Sequence, residues 1–279
     1  MDTLLLRHEE AIRSSAFYVA IAGILLWEAI APRRPGTRPT LARWGSNLGL
    51  YLTNTVISYG FLPVFAVGMA MMAEVRGWGV LRQAAVPPGV AILLSLVVLD
   101  LSLYVEHRLF HRIPWLWRLH RVHHADPHYD FTTAVRFHPI EALLEIAAPV
   151  AIVAVLGAPV VAVVLFEALV GAQAIVSHAN ARLHLGLDRV VRRLVVTPDM
   201  HRVHHSTVPR ETDSNFGNIL SVWDRLFGTY RDQPAAGHEN MVIGLAEFRD
   251  PRRLTLPWLL ALPFLPDRKP VTTADPARA

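Results

Sequence analysis

Residues 139–177 read PIEALLEIAAPVAIVAVLGAPVVAVVLFEALVGAQAIVS and are almost entirely apolar. A helix needs about 20 such residues to cross the hydrocarbon core of a bilayer, so this block is too long for a single crossing. Gly157-Ala158-Pro159 lies in its middle, where proline removes a backbone donor and glycine loosens a helix. The block therefore predicts a hairpin of two membrane helices.

Three more apolar stretches precede this block. Residues 48–73 and 86–105 are each long enough to cross a bilayer. The stretch from Ala16 to Ala31 is shorter and carries Glu28 near its end, so it is either a first span or an anchor helix at the membrane interface. The chain is thus predicted to be an all-α integral membrane helical bundle, with about four to five membrane helices arranged in hairpins.

The composition agrees with a membrane location and excludes several kinds of site. Hydrophobic residues make up 52% of the 279 residues and charged residues 18%, against about a quarter in soluble domains. There are no cysteines, which rules out disulfides, thiolate metal sites, iron–sulfur clusters and a cysteine nucleophile. The net charge of +4 comes from arginines beside the apolar blocks, without interleaved aromatic residues. We interpret them as membrane-orienting charges and expect no nucleic-acid partner.

The loop charges also predict an orientation. Four arginines and no acid lie between the first two spans, as is typical of a cytoplasmic loop; they are Arg33, Arg34, Arg38 and Arg43. More arginines follow the third span, so each hairpin returns to the cytoplasm. Residues 107–138 and those after Ser177 would then form a histidine-rich helical cap on the cytoplasmic side. We expect one membrane domain over 1–279, with a polar, Pro-rich, disordered tail at 266–279.

Histidines are concentrated in the predicted cap. HRLFH spans residues 107–111, and HRVHH occurs twice, at 120–124 and 201–205. Histidines three or four residues apart lie on one helix face, and imidazole binds metals such as iron, zinc and copper. A catalytic metal needs about three protein ligands, so this set is large enough for two metals. The ten candidate ligands, including two single histidines that flank the second hairpin, are His107, His111, His120, His123, His124, His138, His178, His201, His204 and His205.

Several other groups lie close to these boxes in sequence. Asp100 and Tyr104 share a helix face with His107 and are candidate catalytic-site residues, because an acid inside a membrane span is costly. Asp100 would orient a metal-bound histidine, line a substrate channel, or pair with an arginine elsewhere. Glu106, Glu141 and Glu145 are either near the site or charges at helix ends, and Asp199 is predicted to cap the second HRVHH helix. We expect His8, His128 and His238 to have no role in metal binding. For His184 the sequence leaves both possibilities open.

Together these motifs resemble the fatty acid hydroxylase and sterol desaturase superfamily of membrane-bound non-haem di-iron oxygenases. The resemblance covers about residues 90–232. The matching segments are HRLFH (107–111), HRVHH (120–124), RFHPIE (136–141), HAN (178–180), TPDMHRVHHS (197–206), NFGN (215–218) and WDRLFGTY (223–230). One departure concerns the segment at 178, where some fatty acid hydroxylases have two histidines four apart. Here the next histidine is His184, six residues along.

The resemblance implies a reaction as well as a fold. Such enzymes use two histidine-bound irons and O2 to remove hydrogen from an unactivated C–H bond of a lipid, giving an alcohol or a double bond. Zinc would occupy the same sites on overexpression, because imidazole discriminates weakly between these metals. The substrate would be a sterol, fatty acyl, carotenoid or ether lipid taken from the bilayer. No flavin, haem or iron–sulfur motif is visible, so electrons would come from a separate ferredoxin, cytochrome or reduced pterin.

Two other classes of protein fit the histidines. A membrane protein that binds or transports a metal without oxidative chemistry would need ligands spread across the bilayer depth, whereas all the boxes fall on one predicted side. A structural zinc domain would unfold when its ligands are removed. The preference for arginine over lysine favours a GC-rich bacterial source, and hence a bacterial inner membrane with the site facing the cytoplasm.

Overall fold

The computed structural model describes residues 7–34, 41–62 and 64–266. Within these ranges it contains helices, loops and three isolated β-bridges, and no β-strand. The tail that was predicted to be disordered lies outside the described residues, apart from Pro266.

Helices account for both the membrane part and the cap. The first eight α-helices, which carry the membrane part and the first histidine boxes, are α1 Glu9–Ile30, α2 Leu41–Phe61, α3 Ala66–Arg76, α4 Val80–Gln83, α5 Pro88–Arg112, α6 Pro114–His124, α7 Pro139–Leu156 and α8 Val160–Ser177. The shorter helices that complete the cap are α9 Leu185–Val191, α10 Pro198–His204, α11 Pro209–Thr212, α12 Val222–Leu226, α13 Gly237–Asn240 and α14 Leu256–Ala261.

Within the described part of the chain, five segments are long and apolar enough to cross a membrane; they span residues 9–30, 41–83, 88–112, 139–156 and 160–177. Large apolar side chains on these helices point outward, as expected where the solvent is lipid. Val56 and Tyr59 on α2 are each 73% exposed, and Val155 on α7 is 65% exposed. The prediction of a helical membrane bundle is confirmed.

The predicted second span differs in detail from the observed helices. Residues 48–73 were expected to form one helix, but α2 begins earlier, at Leu41, and the chain continues as a separate helix, α3, from Ala66. Position 63 is a proline, which has no backbone N–H to continue a helix. The early start of α2 is held by Arg43, whose guanidinium pairs with Asp126 at 2.7 Å and Asp130 at 2.5 Å. The beginning of α2 therefore belongs to the cap.

The turn between α7 and α8 lies where the sequence predicts it. Gly157 ends α7 in the left-handed region, at φ 64°, and Pro159 immediately precedes α8. Gly79 packs against this turn so closely that a Cβ there would lie 2.2 Å from the Gly157 Cα. Both glycines are therefore required by a close backbone contact that anchors the α3–α5 connection to the second hairpin.

The hairpin helices hold the rest of the bundle around them. Both α3 and α5 pack against α7 and also against α8, around a buried cluster that includes Leu99, Val153 and Val163. The first helix, α1, packs along α8 in a parallel direction, since Arg13 pairs with Glu167 and Phe17 lies beside Gly171. One end of the bundle, where α5 and α8 end, carries the histidines.

Candidate metal centre

The first two histidine boxes are brought together by a sharp bend between α5 and α6. Ile113 is extended and Pro114 opens α6, so the second box folds back over the last turns of α5. The imidazole centroids of His107 and His120 lie 5.0 Å apart, and those of His111 and His124 lie 4.9 Å apart. Proline at this position therefore positions the site as well as ending a membrane helix.

The third box is carried by α10, which starts at Pro198. Thr197 caps this helix, because its side chain accepts a hydrogen bond of 3.3 Å from the Met200 N–H. Asp199 was predicted to be the cap, and that prediction is wrong. Its carboxylate instead pairs with Arg202 and with Arg33, at 3.1 Å, and so ties α10 to the segment after α1.

Nine of the ten predicted ligands form two adjacent clusters. Within each cluster, one potential ligand atom from every histidine lies within 4.8 Å of all the others. The five-histidine cluster is His107, His111, His120, His124 and His204. The four-histidine cluster is His123, His178, His201 and His205.

Each HRVHH box contributes to both clusters. In the first box, His120 and His124 belong to the five-histidine cluster and His123 to the four-histidine cluster. The second box does the reverse, since His204 joins the five-histidine cluster while His201 and His205 join the other. Residues four apart thus share a cluster, and the histidine next to them reaches across. The repeated motif therefore links the two histidine clusters.

The nitrogen positions fit metal ions. Within the five-histidine cluster, the Nε2 atoms of His120 and His124 are 3.2 Å apart. In the four-histidine cluster, the Nε2 atom of His178 is 3.2 Å from that of His123 and 3.1 Å from that of His201. Two imidazoles on one ion, each bonded at about 2.0–2.1 Å, would place their nitrogens roughly 3 Å apart.

Several buried nitrogens in these clusters have no hydrogen-bond partner among the described residues. They are Nε2 of His107, His111 and His204, Nδ1 of His123 and His201, and both ring nitrogens of His205. Leaving a buried polar atom unpaired costs about 1–3 kcal/mol, and a metal ion would satisfy Nε2 of His107, His111 and His204 and one ring nitrogen of His205. The donor set, all imidazole, suits iron, zinc or copper.

Hydrogen bonds from outside the clusters orient the rings. Nδ1 of His107 donates to the Phe216 carbonyl at 2.9 Å, and Nδ1 of His204 donates to the Ser214 carbonyl at 2.8 Å. Nδ1 of His178 likewise donates to the Ala174 carbonyl at 2.8 Å. In each case Nε2 is left for the metal, which is how metal-binding histidines are usually held.

Two carboxylates also orient imidazole rings of the five-histidine cluster. Glu141, fully buried at the start of α7, accepts a hydrogen bond from Nδ1 of His120. Asp213, whose side chain is 62% exposed, lies 3.2 Å from Nδ1 of His111. Glu141 was foreseen only as one of three acids near the site, whereas Asp213 and the three carbonyl acceptors carry no sequence signal.

Burial keeps the cap histidines neutral. Desolvation lowers the pKa of His120 to about 3 and that of His178 to about 4. Burial and the neighbouring imidazoles hold the pKa values of His123, His201 and His205 well below the usual histidine range. Neutral imidazole is the form that binds a metal, so the ligands are ready at neutral pH.

His138, the tenth predicted ligand, is not brought to either cluster. It caps α7, where its Nδ1 accepts a hydrogen bond of 3.2 Å from the Ile140 N–H, and its Nε2 donates to the Leu260 carbonyl. Both ring nitrogens are therefore used in the protein. His184 has a similar role, capping α9 from an exposed position through the Gly186 N–H.

Asp100 and Tyr104 support the centre from one side. Asp100 accepts hydrogen bonds from the backbone N–H groups of Ile219 and Leu220, and from the Trp223 indole at 2.7 Å. Tyr104 contacts the Thr229 hydroxyl at 3.0 Å. Neither residue belongs to a histidine cluster. Both bind the segment after residue 215, in which the Phe216 carbonyl orients His107.

The three histidines expected to be ordinary lie outside the clusters. His8 is exposed before α1, and His128 is half-buried in the loop after α6. His238 is buried, 3.5 Å from the Asp199 carboxylate and 3.0 Å from the Gln233 side chain.

The histidine clusters lie beside two adjacent cavities. A cavity of about 70 Å³ is lined by histidines of both clusters together with Glu106 and Glu145. A larger cavity of about 370 Å³ adjoins it and is lined by residues of α1, α3, α5, α7 and α8. The two cavities share Leu103, Phe137, Glu145, Ala174 and Asn218 as lining residues.

The membrane helices and the two buried histidine clusters at one end of them are features expected of a membrane protein that binds metal. Residues 92–229 match the profile of the fatty acid hydroxylase family, and this region belongs to that family.

Curated relatives agree with this assignment. Ornithine lipid hydroxylase OlsE of Rhizobium tropici is 34% identical over 149 residues, which cover 53% of this chain and 44% of the relative. Alkylglycerol monooxygenase of Homo sapiens is 30% identical over 152 residues, covering 52% and 31%. Cholesterol 25-hydroxylase of Mus musculus is 27% identical over 179 residues, covering 61% and 58%. The chain thus spans less than two thirds of each relative, and no solved structure matches it.

Proposed function

We propose that this protein is a membrane-bound non-haem di-iron oxygenase that hydroxylates, or desaturates, a C–H bond of a lipid. The observation that carries the proposal is that two features lie side by side in the structure. Nine histidines form two metal-sized clusters, and the cavity beside them shares five lining residues with a larger, mainly apolar cavity between the membrane helices. A lipid chain is the substrate that such a space would bring to such a centre.

Redox chemistry favours iron over zinc at this centre. Zinc has no redox chemistry of its own, whereas the matched relatives are named hydroxylases and monooxygenases. Two bound irons would supply the binding and reduction of O2. Hydroxylation consumes O2, two electrons and two protons, and releases water along with the alcohol.

The described residues divide this work among them. The nine clustered histidines hold the metals, while Glu141 fixes the His120 ring by accepting its Nδ1 proton. Leu103, Phe137 and Ala174 line both cavities, and we assign to them the exclusion of water from the reacting carbon. Glu106 and Glu145 line the small cavity, and we assign to their carboxylates the protons that O2 reduction requires.

The remaining components follow from the site and the relatives. A sterol, fatty acyl, carotenoid or ether lipid enters from the bilayer, as the relatives act by name on ornithine lipid, alkylglycerol and cholesterol. Electrons come from a separate ferredoxin, cytochrome or reduced pterin. The arginine-rich loops favour a cytoplasmic orientation of the cap, in a bacterial inner membrane.

Metal transport is the alternative that the placement of the ligands disfavours. A transporter needs ligands at successive depths of the bilayer. Here both clusters lie at one end of the membrane helices, on the last turns of α5, after α8, and on α6 and α10.

The test is turnover with isotopically labelled O2. Iron-loaded protein in lipid vesicles, supplied with a reductant, should put labelled oxygen into a lipid or leave a new double bond, detected by mass spectrometry. Zinc-loaded protein and the His204→Ala and His205→Ala variants serve as controls and should give no product. Metal binding with no O2-dependent product from any bacterial lipid class would contradict the proposal and favour a protein that binds or transports metal without oxidative chemistry.

A further inference from the structure

The lipid cavity has a charged end that the metal centre does not explain. Arg13 of α1 and Glu167 of α8 both line the cavity of about 370 Å³, and their side chains pair at 2.7 Å. Glu9 pairs with the same guanidinium at 2.6 Å. Glu167 lies in the middle of a membrane-spanning helix, where an ionisable residue is expensive and usually functional.

The position of this ion pair determines how long a ligand must be to reach from it to the histidine clusters. Glu167 precedes His178 by eleven residues on α8, which is about 16 Å along a helix. The other end of the cavity, at Ala174 and Phe137, is shared with the metal cavity. A ligand that filled the space would therefore have one end near the metals and the other end near Arg13.

One hydrogen-bond donor at the charged end of the cavity has no partner among the described residues. Arg13 uses Nη1 and Nη2 for the two carboxylates, while its buried Nε–H has no acceptor among the described residues. The two carboxylates already outnumber the guanidinium, so an anionic group would be repelled. A hydroxyl would accept from Nε–H and donate its own proton to a carboxylate oxygen.

We propose that the Arg13–Glu167 pair binds the hydroxyl end of an amphiphilic lipid and so selects substrates with a neutral hydrogen-bonding group about 16 Å from the carbon that is oxidised. This substrate class rests on the proposed function, but binding of the hydroxyl end does not. Arg13 lies on α1, outside the family region at 92–229, whereas Glu167 lies inside it.

The test compares two probes of equal chain length, 1-hexadecanol and hexadecane, for binding to full-length protein in nanodiscs. A hydrogen bond to a charged group contributes enough to make the alcohol bind at least about tenfold more tightly. The double variant Arg13→Leu/Glu167→Leu should lose this preference while keeping its affinity for hexadecane. The variant removes both partners of a part-buried ion pair but leaves Glu9, whose side chain is 25% exposed, without Arg13, so retained hexadecane binding is the control that the cavity is intact.

The matched control removes another ion pair, Glu74–Arg82 at 3.2 Å, which lies outside this cavity. Glu74→Leu/Arg82→Leu should keep the alcohol preference in full. Equal affinity of the wild-type protein for both probes, or an unchanged preference in the Arg13→Leu/Glu167→Leu variant, would overturn the proposal. The same assay on His205→Ala separates it from the proposed function, because the alcohol preference should survive there although lipid oxidation is lost.

Discussion

Glu141 accepts a hydrogen bond from Nδ1 of His120 with no part of its carboxylate exposed, whereas Asp213 meets Nδ1 of His111 with 62% of its side chain exposed. These two acids act on the same five-histidine cluster and differ mainly in burial. They therefore form a matched pair for measuring how much a buried carboxylate contributes to metal binding.

We expect Glu141→Gln to weaken metal binding or activity by roughly 10–100-fold, the usual effect of removing an acceptor behind a metal-bound histidine. Glutamine keeps the shape but replaces a charge-assisted hydrogen bond with a weaker neutral one. In Asp213→Asn, solvent already screens the lost charge, so the change should stay below about threefold.

The assay is competition for zinc and iron(II) between each variant and a chelator of known affinity, followed by turnover of the iron-loaded protein. Thermal unfolding of the metal-free variants provides the folding control. Equal losses in Glu141→Gln and Asp213→Asn would refute the argument that burial makes Glu141 the dominant orienting group.

Three further predictions concern the cap, the topology and the hairpin. His138→Ala should retain full metal content, measured by elemental analysis, and lose about 1 kcal/mol of stability with its helix cap; loss of a metal would make His138 a ligand after all. A cysteine replacing exposed Arg210 should react with an impermeant maleimide only from the cytoplasmic side, and one replacing exposed Gln83 only from the other; the reverse pattern would invert the orientation. Gly79→Val should lower stability by at least about 2 kcal/mol in thermal unfolding, because its Cβ would meet Gly157, while Gly89→Ala, with open space around it, should change little.

Much of the bundle could be read from the sequence because it depends on local chemistry. Hydrophobic length predicted the spans, and Gly157 with Pro159 marked the turn at the observed residues. The convergence of the boxes also followed, because two hairpins return both histidine-rich stretches to the same side of the membrane. The break between α2 and α3 was missed, although Pro63 is visible, because hydropathy continues across it.

The allocation of ligands could not be predicted, because it depends on how helices cross. HRVHH places His120 and His124 on one helix face but does not indicate which residues of other helices complete either cluster. His138 matched the family motif, yet α14 and the start of α7 use both of its nitrogens. Likewise, the acceptors for His107 and His204 are backbone carbonyls, which every residue has and no sequence distinguishes.

The most direct test of a dinuclear centre is iron stoichiometry with one ligand removed from each cluster. Protein purified without oxygen from iron-replete cells should contain two irons per chain, and His204→Ala and His205→Ala should each lower the affinity of a different one. We expect two distinguishable Mössbauer signals in the wild-type protein, with a different signal reduced in each variant. One iron or fewer per chain under metal-preserving conditions, or the same signal lost in both variants, would contradict a centre built from two histidine clusters.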